Sequence, residues 1–174
     1  MKDSVAVIAL NMRTIAMRFK SKDLKFEVQV SPNVISDILH KCVSSGRNET
    51  GGLLAGHYST NLKVAVIDLL APEISDSSAG RVWFKRGTKG LQVWLDEIFL
   101  REKYYLGEWH YHPFSNPNPS LQDINQMLKI SEDTSWNCPE PILLIVGGDP
   151  SMDFTLTITV FKNGRAIEFV EDKV

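Results

Sequence analysis

Hydrophobic residues recur along this chain with two different periods, and the switches between them divide it into strands and helices. In "KFEVQV", Phe26, Val28 and Val30 alternate with polar neighbours, the period of a half-buried strand. "SPNVISDILHKCVSSG" changes to the helical period. Val34, Ile35, Ile38, Leu39, Cys42 and Val43 form one stripe, with Ser31 as N-cap, Pro32 at the first helical position and Gly46 as the stop. "TGGLLAGHY" and "LKVAVIDLL" flank a Ser59–Thr60–Asn61 turn and predict a hairpin. "RVWFK" predicts a short strand, and "KGLQVWLDEIFLREKY" a second helix with Leu91, Leu95, Ile98 and Phe99 on one face. "YYLGEWHYH" returns to a strand, and "SLQDINQMLKI" opens a third helix expected to turn Leu121, Ile124 and Leu128 inward. The unbroken apolar run "PILLIVGG" predicts a buried strand, and "DFTLTITVF" alternates Phe154, Leu156, Ile158 and Val160 with threonines. Asn163–Gly164 is a strong hairpin signal leading into "RAIEFV".

Strands and helices interspersed in this way, with no internal repeat or low-complexity linker, predict a mixed α/β domain whose sheet carries helices on its faces. One domain is expected over residues 1–174, with residues 1–30 supplying N-terminal strands. "VAVIAL", Val5 to Leu10, is read as one of these. It is too short for the core of a secretion signal, follows Asp3 and has no small-residue cleavage site after it.

Composition narrows the function classes. The chain has 174 residues, enough for one sizeable core, and its 43% apolar and 23% charged residues are ordinary for a globular protein. A net charge of -2 argues against gripping nucleic acid by bulk electrostatics, and no apolar run approaches a membrane span. Cys42 and Cys138 form no CxxC pair and are too few for a disulfide scaffold, so a cytoplasmic protein is expected.

The chemistry concentrates in "GEWHYHPFSNPNPSLQD", Gly107 to Asp123, which holds two of the four histidines. On a strand, residues two apart share a face, so His110 and His112 can aim both imidazoles at one point while Tyr111 faces away. Three prolines (Pro113, Pro117 and Pro119) stiffen the loop that delivers Asp123 near a helix start. Two histidines and a carboxylate form a recurrent catalytic zinc set that leaves a fourth position for water. Ser120-x-x-Asp123 also reads as a capping box, and the two readings are compatible. The remaining candidates carry less. Gly147–Gly148 is expected to be a strand-end turn, His57 to sit at a hairpin end and His40 near a helix C-terminus. Trp83 and Trp94 are expected to fill core or cover apolar surface, and "SEDTSWNCPE" to be a solvated loop.

The pattern His110-x-His112, seven residues, Ser120, two residues, Asp123 resembles the signature of the JAMM (JAB/MPN) zinc metallopeptidases. "SGRNETGGLLAGHY" adds the upstream glutamate of that family as Glu49, followed by Gly51–Gly52 and an apolar strand. The likeness extends over most of residues 31–160, and Tyr111 departs from the serine or threonine often found between the histidines. The resemblance implies a single-domain, cytidine-deaminase-like α/β JAB/MPN fold holding one zinc ion per chain through His110, His112 and Asp123. It implies Glu49 as general base and Ser120 as oxyanion donor, in a hydrolase acting beside the carboxyl terminus of a ubiquitin-like or conjugated protein. Without the long added helices of eukaryotic members, the chain is most similar to bacterial deconjugating peptidases of antiphage (CBASS) operons, encoded beside activating-like and conjugating-like enzymes. A peptidase trimming a ubiquitin-like sulfur carrier, or a non-catalytic MPN interaction module, is the alternative. The substrate tail is expected to add as a strand beside residues 107–112, between walls formed by "PFSNPNP" and by Ser75 to Arg81.

Overall fold

The strands predicted from alternation close into a barrel. The computed structural model describes residues 16–23, 25–149 and 152–172. The run Val5 to Leu10 lies outside them. Two short strands, β1 (Met17–Lys20) and β2 (Glu27–Val30), lead into helix α1 (Pro32–Ser45). The hairpin of β3 (Thr50–Tyr58) and β4 (Val64–Leu70) follows. Next come the small strands β5 (Ser78–Gly80) and β6 (Trp83–Lys85), then helix α2 (Leu91–Phe99). Strand β7 (Tyr104–Pro113) precedes helix α3 (Leu121–Glu132), and β8 (Ile142–Asp149), β9 (Asp153–Lys162) and β10 (Arg165–Glu171) complete the order. Around the barrel the neighbours run β1, β10, β9, β8, β7, β3, β4, β2 and back to β1, while β5 and β6 pair apart from it. All barrel pairs are antiparallel except β2–β4 and β7–β8.

Two apolar clusters explain which faces are buried. One gathers the α1 stripe (Val34, Ile35, Ile38, Leu39, Cys42) with Val28, Ile67, Trp109, Tyr111 and the even positions of β8, Ile142, Leu144 and Val146. The other packs Leu143 and Ile145 of β8 against Met127 and Ile130 of α3 and Leu91 of α2. Strand β8 is therefore covered on both faces, which is why its sequence is apolar without alternation.

α1 starts and stops where its sequence signals place it: Ser31 caps the Val34 N–H, Pro32 sits in the first turn and Gly46 takes a left-handed φ of 61°. The Asn163–Gly164 turn has positive φ at both residues (51° and 70°), the twist a two-residue hairpin requires.

Other expectations need correction. Phe99 is 63% exposed and Leu121 74% exposed, at the helix ends, while Leu91, Leu95 and Ile98 of α2 and Ile124 and Leu128 of α3 face inward as expected, joined by Trp94, Met127 and Ile130. "SEDTSWNCPE" is not simply solvated: it contains a 3-10 turn at Thr134–Trp136, Cys138 is buried, and the Trp136 ring packs tilted against Tyr105 with centroids 4.7 Å apart. Gly147 and Gly148 belong to β8 itself, where Gly148 hydrogen-bonds both Ser115 and Phe114 of the proline loop (2.8 and 2.9 Å). β1, unmarked by any clear alternation, pairs with β2 and β10 to close the barrel.

Candidate metal centre and catalytic cleft

A bulge in β7 sets the direction of the histidines. Leu106 is an extra residue opposite β3, since Leu54 pairs with Gly107 and Ala55 already pairs with Tyr105. The chain passes this point through Gly107 at φ 152°, where a Cβ would lie 1.8 Å from the Ile142 carbonyl oxygen, so no other residue fits. Side-chain parity shifts by one across the bulge. Leu106, Trp109 and Tyr111 all enter the cluster under α1, which leaves Glu108, His110 and His112 on the opposite face. Tyr111 is fully buried and faces away from the site, as its position between the histidines requires.

His110, His112 and Asp123 each present a ligand atom, and these atoms lie within 4.8 Å of one another. Asp123 Oδ1 is 2.7 Å from His110 Nδ1, and Asp123 Oδ2 is 3.6 Å from His112 Nε2. The aspartate is fixed by the start of α3. The Ser120 backbone N–H and hydroxyl both donate to Asp123 Oδ2 (2.8 and 2.6 Å), and Ser120 Oγ accepts the Asp123 N–H (3.1 Å). The capping box and the convergence of the three ligand types thus occur together.

Charges in this cluster are strongly coupled. Burial works to raise the Asp123 carboxyl, but hydrogen bonds from His110 and Ser120 outweigh it and hold the group at about 2. Burial likewise disfavours the His110 cation, yet Asp123 and Glu108 outweigh it and raise the imidazole to about 9. His112 is shifted down by its burial, with Asp123 opposing. Two carboxylates, Asp123 and Glu108, thus favour positive charge at this point, and the nitrogen and oxygen donors of the cluster fit zinc.

Glu49 stands immediately before β3, and its backbone N–H donates to the Gly80 carbonyl of β5 (2.8 Å). It lines the same cleft of about 530 Å³ as His110, His112, Ser120 and Asp123. Burial raises its carboxyl above the ordinary range, the His110 charge opposes this, and Asp123 adds to the rise. All five residues singled out in the sequence therefore border one cavity. Gly51, paired with His110, is required by close approach: a Cβ there would lie 2.5 Å from the Trp109 carbonyl oxygen and 2.9 Å from the His110 ring.

The walls differ in part from expectation. Pro113, Ser115, Asn116 and Asn118 of the proline loop line the cleft, but the facing wall is Arg81 to Phe84, displaced along the chain from Ser75 to Arg81. Asp76 accepts the Thr88 and Lys89 N–H groups (both 3.1 Å), and Ser77 Oγ accepts that of Gly87 (2.9 Å). These bonds pin the base of the β5–β6 hairpin, whose Phe84 meets the His110 ring edge-to-face at 6.0 Å. A tail adding to β7 is excluded, because residues 107–111 of that strand are already paired with β3 on one edge and β8 on the other.

Sequence reasoning passed over Glu108, which is 1% exposed and accepts hydrogen bonds from Arg86 (3.2 Å) and Gln126 (2.7 Å). Its position two residues before His110 on the same strand face was the available signal. Trp83 and Trp94 are only partly covered, Trp83 being 47% exposed at the cleft rim. His57, near the end of β3, pairs with Asp68 at 3.2 Å, and His40 bonds the Ser36 carbonyl within α1.

A mixed α/β barrel thus carries a histidine–histidine–aspartate cluster that could hold a metal ion, in one cleft with a half-buried glutamate. The chain belongs to the prokaryotic JAB family, whose model, prokaryotic homologs of the JAB domain, matches residues 31–158. It is 36% identical over 148 residues to the CD-NTase/cGAS isopeptidase of Enterobacter hormaechei subsp. hoffmannii (strain UCI 50), covering 85% of this chain and 82% of that protein. In fold it is similar to the solution structure of protein DSY2949 from Desulfitobacterium hafniense, with a TM-score of 0.59, 16% identity, and coverage of 84% of this chain and 90% of that one.

Proposed function

We propose that this protein is a zinc-dependent isopeptidase that releases a CD-NTase-type protein from a target joined through its carboxyl terminus, within a bacterial antiphage (CBASS) system. The observation that carries the reading is the convergence of His110, His112 and Asp123 beside Glu49 in one cleft. The 36% identity to a CD-NTase/cGAS isopeptidase, over a stretch covering 85% of the chain, supports the substrate class. The intact ligand set argues against a non-catalytic module on the same fold, and the same relative favours deconjugation over trimming of a sulfur carrier.

His110, His112 and Asp123 would hold one zinc ion, which when bound supplies a Lewis acid and a water acidified to a pKa of about 7. Glu49 accepts the proton of the attacking water as the carbon–oxygen bond forms. It then delivers that proton to the departing lysine amine as the carbon–nitrogen bond breaks. Its raised carboxyl makes it a better proton acceptor than an exposed glutamate. Ser120 is proposed as the oxyanion donor. Its hydroxyl points to Asp123 in the present geometry, so donation requires the O–H to turn towards the substrate oxygen.

The test is a gel assay on a CD-NTase carrying a reporter fused beyond its carboxyl terminus. Cleavage is expected to stop with a zinc chelator, to return on adding zinc, and to survive thiol alkylation. Glu49→Gln is expected to keep its zinc and lose turnover by about 10²–10⁴-fold, the usual contribution of a general base. Inhibition by the alkylator alone, or wild-type rates in metal-loaded Glu49→Gln, would defeat the mechanism.

A further inference from the structure

We infer that Glu108 is a positioning residue of the metal centre, a buried carboxylate that holds the His110 imidazole in the orientation needed to ligate. The inference rests on the reading of His110 as a metal ligand. The two ring nitrogens of His110 face different carboxylates. Nδ1 lies 2.7 Å from Asp123 Oδ1, on the side of the other ligands, and Nε2 lies 3.6 Å from Glu108 Oε2, at ion-pair distance. A ligating imidazole uses one nitrogen for the metal, and its other N–H is directed at a carboxylate or carbonyl that fixes the ring and strengthens it as a donor. Glu108 is the group placed to receive that N–H.

Glu108 is itself rigidly aimed. It stands at the same strand face as His110, two residues back, and its side chain is 2% exposed. Arg86 Nη2, at the foot of the β5–β6 hairpin, donates to Oε1 (3.2 Å). Gln126 Nε2, on α3 one turn after Asp123, donates to Oε2 (2.7 Å). Arg86 is braced in turn by the Gly87 carbonyl (3.2 Å) and by the Trp136 ring, 5.7 Å below its guanidinium. Glu108 therefore joins β7, α3 and the hairpin at the point where His110 must not turn. A carboxylate this deeply buried is costly unless it is paired; Arg86 takes Oε1 and Gln126 one lone pair of Oε2, which leaves the second lone pair of Oε2 to face the imidazole. The arrangement assigns Nδ1 as the ligating nitrogen of His110 and Nε2 as the proton-bearing one.

Two measurements on the full chain test this. Long-range proton–nitrogen NMR of the ¹⁵N-labelled, zinc-loaded protein reads which ring nitrogen of His110 carries the proton. The expected result is a protonated Nε2 and a metal-bound Nδ1; a metal-bound Nε2 would overturn the inference. Competition with a chromophoric chelator then compares zinc affinity in wild type and Glu108→Gln, an isosteric change that removes the charge. Affinity is expected to fall about 10- to 100-fold. Unchanged affinity, with only the melting temperature of the zinc-free variant lowered, would show that Glu108 merely braces the hairpin against α3. Should the variant fail to fold, the wild-type spectrum decides the matter alone. Failure of the wild type to take up zinc would overturn the metal reading, and the inference with it, before any variant is compared.

Discussion

Asp123 uses its two oxygens differently, and this makes the stability of the zinc-free protein depend on pH in two windows. Its carboxyl is held at about 2 against an ordinary value of 3.8, so its contribution is complete above 3.8 and disappears as pH falls towards 2. His110 is raised to about 9 from 6.5, so its contribution is complete below 6.5 and is lost as pH rises towards 9. Glu108 and Asp123 both sustain the His110 charge, and His110 with Ser120 sustains that of Asp123. The share of stability that comes from the His110–Asp123 pair, read as the difference in thermal midpoint between zinc-free wild type and Asp123→Asn across pH, is therefore expected to be complete between about pH 4 and 6.5 and to fall on either side. A difference that grows from pH 7 to 9 would contradict the pairing. Ser120→Ala separates capping from catalysis: loss of the cap is expected to cost about 1 kcal/mol of stability, while zinc is retained and turnover falls. Retained turnover with the stability loss alone would leave Ser120 only its capping role. The convergence of His110, His112 and Asp123 was legible in the sequence because strand period and a helix-start signal both act locally. Glu108 was not, since what makes its burial tolerable is Arg86, 22 positions away.

At the scale of elements, the site depends on how β7 is phased and on what β3 leaves open. Gly51→Ala would place a methyl 2.5 Å from the Trp109 carbonyl oxygen, a backbone atom with no freedom to withdraw within a paired strand. The variant is expected to lose roughly 1–3 kcal/mol in chemical denaturation, the usual cost of overpacking, and to bind zinc more weakly because His110 and Phe84 are displaced. A denaturation midpoint and zinc affinity equal to wild type would show that β3 yields more easily than this packing implies. The apolar pattern located α1, β3, β4 and β9 and, through an unbroken apolar run, β8, both of whose faces are covered. It misplaced Phe99 and Leu121, which sit at helix ends where the stripe runs past the edge of the packed surface. The bulge at Leu106 was invisible to it, since the extra residue is defined only by pairing with β3.

For the molecule as a whole, closure was the least legible feature. Alternation shows that a strand has two faces but not which strand lies beside it, and the parallel β2–β4 and β7–β8 pairs join segments separated by helices or hairpins. Among the described residues, no helix is long and apolar enough to cross a membrane. Both cysteines are buried, and burial pushes each thiol upward, Cys138 to about 12, so neither supplies a thiolate near neutral pH. The insensitivity to alkylation expected of the enzyme follows from this. In the proposed function, cleavage of the conjugate requires one metal held by His110, His112 and Asp123. This requirement is tested most directly by measuring zinc content and conjugate cleavage on the same samples of wild type, His110→Ala and His112→Ala. One zinc per chain with cleavage is expected in the wild type, and loss of both in each variant. Full zinc content and full cleavage in both variants would contradict it.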